Sequence, residues 1–276
     1  MNTPITLTIA GSDSGGGAGI QADIKAISAT GGYACSVITA LTAQNTLGVF
    51  GIHPVPADFI ARQLDVVFAD LPVRAVKIGM LAEREIITVV AKKLRQYRPQ
   101  WVVLDPVMVA TSGDVLLATD AIDCLRTELL PLADVITPNL AEACCLLNLP
   151  MPACEAQMQP LVDACRGLIS NQNAFGRAQA LLLKGGHLQH EPESRDLLIQ
   201  TDTTLSLSAP RLATRNTHGT GCTLSAAIAS CLAQGMPIGQ ACGHAKAYLT
   251  RALQSADRWQ IGQGHGPVDH FFALHE

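Results

Sequence analysis

The chain has 276 residues, 48% hydrophobic and only 4% aromatic, with 19 Lys and Arg against 23 Asp and Glu and a formal net charge of −4. That length suits one large α/β domain. The mild acidity leaves no basic footprint for nucleic acid, and no run of ~18 apolar residues is present to span a bilayer. Scarce aromatics fit a sheet covered by helices better than a surface that stacks on bases or sugars.

The first residues, MNTPITLTIAGSDSGGGAG, carry neither a basic n-region nor a long apolar segment and are not read as a signal peptide. Short β-branched runs then alternate with helical spacing. ITLTIAG (5–11), CSVITAL (35–41), AVKIGM (75–80), WVVLDP (101–106), DVITPN (134–139) and ALLLKGG (180–186) read as strands buried on both faces. Residues 17–29, 56–68, 83–97, 119–129, 141–147 and 157–170 repeat apolar side chains three and four apart, the helical period. That alternation predicts right-handed βαβ units in one largely parallel sheet.

GVFGIHPVP (48–56) is too short and glycine-broken for a core strand, and is expected to be a small flap near the sheet's open end. Residues 171–176 read as a long polar loop. DLLIQTD (196–202) and TLSLSAP (204–210) read as an antiparallel edge hairpin, followed by helices over 219–233 and 237–255. No linker divides the chain, so 1–276 is expected to be a single domain. Nine cysteines at irregular spacing, none in C-x-x-C, read as reduced thiols of a soluble cytoplasmic protein.

In open α/β sheets ligands bind beyond the carboxyl ends of the strands. The polar oddities fall there: Gly11, Ser12 and Asp13; Thr42 and Gln44; Asp105; Asn139; and Lys184 with Gly185 and Gly186. GSDSGGGAG lacks G-x-G-x-x-G, and the second strand has no following acid for a ribose, which argues against a dinucleotide fold. The phosphate-loop pattern is also absent.

The late stretch NTHGTGCTLSAAI (216–228) places Gly219, Thr220, Gly221 and Cys222 at a helix start. Unpaired first-turn amides there can converge on a phosphate, or the stretch can be a glycine turn with Thr as cap. Cys231 lies on the apolar stripe and reads as core. Cys222 lies in the first turn, where its thiol pKa is expected to fall toward neutrality.

TIAGSDSGGGAGIQAD, SVITALTAQNT, VKIGML, VVLDPVMVATSGD, DVITPNLAEA, LLLKGGH, RNTHGTGCTLSAAI and GHGPV follow one another along the whole chain. Together they resemble the ribokinase-like family of small-molecule kinases, and within it the hydroxymethylpyrimidine/phosphomethylpyrimidine kinases of thiamine biosynthesis. The resemblance implies a three-layer αβα sandwich that is a homodimer and uses ATP and Mg²⁺. It implies phosphorylation of 4-amino-5-hydroxymethyl-2-methylpyrimidine to the monophosphate and then the diphosphate.

It further implies that Gly219, Thr220 and Gly221 bind the transferring phosphoryl group through backbone amides, with Cys222 as base. Asp23 and Gln44 would read the ring's polar edge, framed by Gly11, Met80 and Val107. Asp105, Asn139, Glu142 and Lys184 would organise the phosphates, with Asp105 and Glu142 toward Mg²⁺ and Glu142 acting through water. Asn139 and Glu142 also fit a capping box. His187 and His218 lie beside the motifs and are read as scaffold, outside the catalytic set. Residues 151–179 match no motif, and the loop 171–176 would bear on the nucleotide's surroundings. A pyridoxal or pyridoxine kinase on the same fold, and a non-catalytic ligand sensor, are the alternatives.

Overall fold

A computed structural model describes residues 3–108, 119–154, 157–185 and 193–275. In chain order the elements begin with β1 (Ile5–Asp13), α1 (Gly19–Ala29), β2 (Tyr33–Asn45), β3 (Gly48–Pro54), α2 (Ala57–Asp70), β4 (Ala75–Ile78), α3 (Arg84–Tyr97) and β5 (Trp101–Leu104). They continue with α4 (Thr119–Cys124), β6 (Val135–Ile136), α5 (Leu140–Leu147), α6 (Met158–Leu168), β7 (Ala180–Leu183), β8 (Glu193–Ile199), β9 (Thr204–Pro210), α7 (Thr220–Ala233) and α8 (Ile238–Ala256). The expected alternation is present. Residues 109–114 of the VVLDPVMVATSGD motif, with Gly186 and His187, lie outside the described residues.

The strands form one nine-stranded sheet in the order β3-β2-β1-β4-β5-β6-β7-β8-β9. The inner six are parallel, while β3, β8 and β9 join at the edges through antiparallel pairing. Each inner strand feeds side chains to both faces. Leu7, Ile9, Ile78, Leu104 and Leu181 pack with α2, α3, α5 and α6, whereas Val103, Val135 and Leu182 pack with α1, α7 and α8. This is the three-layer αβα sandwich implied by the resemblance. The near-continuous apolar strands follow from that double cover.

One local expectation is sharpened and two are corrected. Residues 48–54 are a true strand, β3, paired antiparallel with the carboxyl half of β2. An edge strand tolerates the glycines that would weaken a central one. The helix expected over 119–129 stops at Cys124 and passes through a wide π turn (Leu125–Leu129) and a 3₁₀ turn (Leu130–Leu132). Pro131 lacks the N–H that an α-helix requires. The loop 171–176 packs at the amino end of β6, the opposite end of that strand from the crevice formed at the carboxyl ends. Asn173 donates to Asp134 at 2.8 Å and Arg177 pairs with Asp134 at 2.6 Å, at the amino end of β6. Among the described residues, no helix is long and apolar enough to cross a membrane.

The chain runs from β1 to β2 on one side and returns to β4 on the other. That reversal opens a crevice at the carboxyl ends.

Candidate active site

The crevice is a cleft of ≈ 710 Å³. Because the strands lie side by side, their carboxyl ends order its walls. Gly11, Gln44, Met80 and Val107 come first, then Asp105, Asn139, Glu142 and Lys184, and beyond them Arg211, Leu212, Leu249 and Leu253. Gly219, Thr220, Gly221 and Cys222 line the cleft from α7. All the expected residues reach it except Asp23.

Two glycine loops meet over β1. The side chain of Asp13 ties the first together, accepting from the amides of Gly15 (2.8 Å), Gly17 (3.0 Å) and Ala18 (2.8 Å). Its Oδ2 also lies 2.9 Å from His218 Nε2, in the second loop. Burial opposes charge on Asp13, but His218 and these amides hold its carboxyl below the usual range. Gly219 has φ +77° and packs so closely on the Gly17 carbonyl that any Cβ there would collide with it.

Gly219, not a threonine, occupies the N-cap of α7, and no side chain caps that helix. The Thr220 amide reaches back to the Thr217 carbonyl at 3.4 Å, and no side chain competes for the other first-turn amides. The threonine cap that spacing alone allowed is set aside by this backbone.

Behind the loop sits a buried charge network. Lys184 Nζ is 2.9 Å from Asp105 Oδ1 and 3.9 Å from Glu142 Oε2. Asp105 also accepts from Thr137 (3.0 Å) and Ser225 (3.3 Å). Burial favours the neutral form of Asp105, yet Lys184 and Lys77 keep its carboxyl below the usual range. Burial likewise works against charge on Lys184, and Asp105 and Glu142 reverse it, raising the ammonium.

Asn139 Oδ1 accepts from the Glu142 amide at 2.9 Å while Glu142 Oε2 accepts from the Asn139 amide at 2.8 Å. The capping box is thus real, and it aims Glu142 at the cleft. Burial raises the Glu142 carboxyl to about 7, against the pull of Lys184. Two carboxylates and an amide offer hard oxygen donors, which suits Mg²⁺. Among the described residues no cluster of three acidic, His or Cys side chains could hold a metal unaided.

Two expectations fail here. Asp23 is fully buried on α1, where both its oxygens grip Lys77 Nζ at 2.9 and 2.8 Å and Thr8 donates at 2.5 Å. It does not line the cleft, whereas its partner Lys77 does. Burial depresses Lys77, but Asp23 together with Cys222 and Asp105 lifts it above its ordinary value, so the ammonium persists. Cys222 is partly open to the cleft yet densely surrounded by protein. Burial pushes its thiol up to about 11 despite Lys77 and the Gly19 amide, the reverse of the expected fall.

Gln44 is held in place. Thr42 Oγ1 donates to its Oε1 at 3.0 Å, and its Nε2 lies 3.5 Å from His218 Nε2. Met80 packs on Gly11 so tightly that a Cβ would sit 2.8 Å from Met80 Cε. Reading the sequence placed Asp13 at the rim without giving it a task, missed Lys77, and set His218 aside as scaffold, which its contacts fit. A charged residue inside the apolar run AVKIGM is a signal that could have found Lys77. Asp two residues before a glycine run is an Asx-turn signal for Asp13.

The chain matches the phosphomethylpyrimidine kinase family over residues 13–269. It is 54% identical over 269 residues to a hydroxymethylpyrimidine/phosphomethylpyrimidine kinase of Rhizobium meliloti, covering 98% of this chain and 97% of that one. Among solved structures, a Clostridium difficile phosphomethylpyrimidine kinase aligns with TM-score 0.75 at 42% identity, covering 90% of this chain and 98% of that one. A Staphylococcus aureus pyridoxal kinase in complex with AMP-PCP and pyridoxal aligns with TM-score 0.84 at 31% identity, covering 98% and 94%.

Proposed function

The chain belongs to the phosphomethylpyrimidine kinase family, and on that premise we propose that it moves the γ-phosphoryl group of ATP onto 4-amino-5-hydroxymethyl-2-methylpyrimidine, then phosphorylates the monophosphate, in thiamine biosynthesis. One observation carries the reading to this chain's own residues. The uncapped first turn of α7 opens into the same cleft as Gln44 on one side and the Lys184–Asp105–Glu142 network on the other.

Each residue then has a task. Gln44 presents a fixed amide to the pyrimidine edge, and Gly11, Met80 and Val107 bound the ring. The amides of 219–222 hold the phosphoryl group as it moves, the kind of preorganised donor that stabilises developing charge. Lys184 faces phosphate oxygens, and Asn139 and Glu142 fix the far side. Mg²⁺, when bound through Glu142 and Asp105 and their waters, supplies charge neutralisation on the phosphates. Cys222 Sγ takes the proton from the substrate hydroxyl as that oxygen bonds to phosphorus. Asp23 acts from below by holding Lys77.

Residues 1–276 work as one kinase domain in this reading, supported by the single sheet. A homodimer is proposed, supported by Leu47, Phe50 and Ile52, which stand 60%, 71% and 38% exposed on the β2–β3 hairpin. A cytoplasmic setting is proposed from nine unpaired cysteines.

The pyridoxal kinase alternative draws on the higher TM-score of that neighbour, but its identity is 31% against 54% for the pyrimidine kinase relative. Mass spectrometry of products from ATP with the pyrimidine alcohol, and separately with pyridoxal, tests the reading. We expect pyrimidine monophosphate followed by diphosphate. Pyridoxal as the faster substrate, or pyrimidine binding without ATP turnover, would overturn it.

A further inference from the structure

The GHGPV segment is bound into the cleft's architecture but has no task in the reaction as described. Its glycines mark places of close approach, Gly264 to backbone and Gly266 to a side chain. The amide of His265 donates to the Thr46 carbonyl at 3.0 Å, and the amide of Gly264 donates to Thr46 Oγ1 at 3.2 Å. Thr46 sits in the turn between β2 and β3, two residues beyond Gln44. A Cβ on Gly264 would collide with the Thr46 carbonyl.

Two residues on, the Gly266 carbonyl accepts from the His218 amide at 3.0 Å, and Pro267 forms a β-bridge with His218. A Cβ on Gly266 would collide with the side-chain oxygen of Asn216. His218 in turn touches both Asp13 and Gln44 and directly precedes Gly219, the N-cap of α7.

We propose that residues 264–267 form a clasp that positions the ring-reading arm carrying Gln44 against the phosphoryl-binding loop 219–222. Gly264 and Gly266 are its positioning residues. The physical reason is distance. A hydroxymethyl oxygen must lie in line with the phosphoryl group while the ring stays on Gln44, and misplacement by about 1 Å can cost on the order of 10²-fold in rate. The clasp adds a second backbone link between the Gln44 arm and the phosphoryl-binding loop, beside the packing of Gly219 on Gly17 in the first glycine loop. The inference rests on the kinase reading above.

The test uses the full-length enzyme and separate KM values for pyrimidine and ATP. Gly264→Ala pushes on the turn that carries the Gln44 arm, so its effect should fall on the pyrimidine. We expect a loss of at least about tenfold in kcat/KM for the pyrimidine, mostly in KM, with the KM for ATP held within about twofold. Gly266→Ala pushes on the loop side, and kcat should fall at least about tenfold. Its clash is with a side-chain end, so adding Asn216→Ala should restore kcat to within about threefold of wild type.

Folded variants with wild-type kcat and pyrimidine KM would overturn the clasp. So would an equal rise of both KM values, the mark of general loosening. Should Gly264→Ala fail to fold, Thr46→Val removes the hydroxyl that accepts from Gly264, and about a threefold rise in pyrimidine KM is expected, an unchanged value counting against the clasp. Calorimetric binding of the pyrimidine alcohol to the same proteins reads the clasp without turnover. Absent turnover in wild type therefore overturns the kinase reading alone.

Discussion

At Cys222 two opposing effects act on one thiol. A helix N-terminus favours a thiolate by about 0.3–1 kcal/mol at exposed positions. The net rise to about 11 from an ordinary 9 corresponds to roughly 3 kcal/mol the other way. Burial wins, and the resting enzyme carries a thiol at neutral pH. Since only the thiolate accepts a proton, turnover should climb with pH between about 7 and 10, approaching tenfold per unit. Cys222→Asp, already ionised at pH 7, should flatten that climb in a pH–rate profile. Cys222→Ala should lower kcat by about 10²–10⁴ while pyrimidine binding is kept; full activity in that variant would remove Cys222 as base. Lys77 offers a second residue-scale prediction. Lys77→Met strands the buried Asp23 carboxylate, and urea unfolding should show a loss of about 3–5 kcal/mol. Adding Asp23→Asn should recover much of it, because a buried pair is dearer to break than to replace.

Among the elements, the glycine loop before α7 divides into two kinds of position. Gly219 combines a left-handed φ of +77° with backbone packed against it. Gly219→Ala should cost about 1–2 kcal/mol of backbone strain and displace the loop, cutting kcat by about 10² or more. Gly221 has no such φ, and a Cβ there would meet only the flexible end of Lys184 at 3.3 Å and Asp105 at 3.6 Å. Gly221→Ala should unfold at the wild-type temperature yet turn over more slowly. The comparison of thermal melts with kcat separates these cases. Most elements were legible before any coordinates, because helix and strand impose periods of 3.6 and 2 on side chains. The capping box of Asn139 and Glu142 was legible for the same local reason. The break of α4 into π and 3₁₀ turns was not, although Pro131 stood in plain view. Apolar periodicity masked the missing N–H. The strand β3 was overlooked because edge pairing places few demands on side chains.

For the whole molecule, a buried histidine ties stability to pH. His270 is buried beneath α7, within 2.9 Å of Thr223 Oγ1, and burial lowers its imidazole to about 4. The unfolded chain binds a proton near 6.5, whereas the folded one resists until about 4. Stability should therefore be full above about pH 6.5 and fall, by up to roughly 3 kcal/mol, as pH drops to 4. Urea midpoints across that window should show the slope in wild type and a shallower one in His270→Gln. The sequence by itself determined the alternation of elements, the convergence of polar residues at the strand ends, and the glycine loop opening α7. Each of these follows from chemistry within a few residues. Twelve of the thirteen expected site residues line the cleft for that reason. The tertiary structure alone decided that Asp23 grips Lys77, 54 residues away, instead of a substrate, and that Asp13 meets His218, 205 residues away. It also decided the state of the Cys222 thiol. Packing brings distant charges together and strips their water, and both partner and dielectric are properties of the folded volume that no local pattern contains.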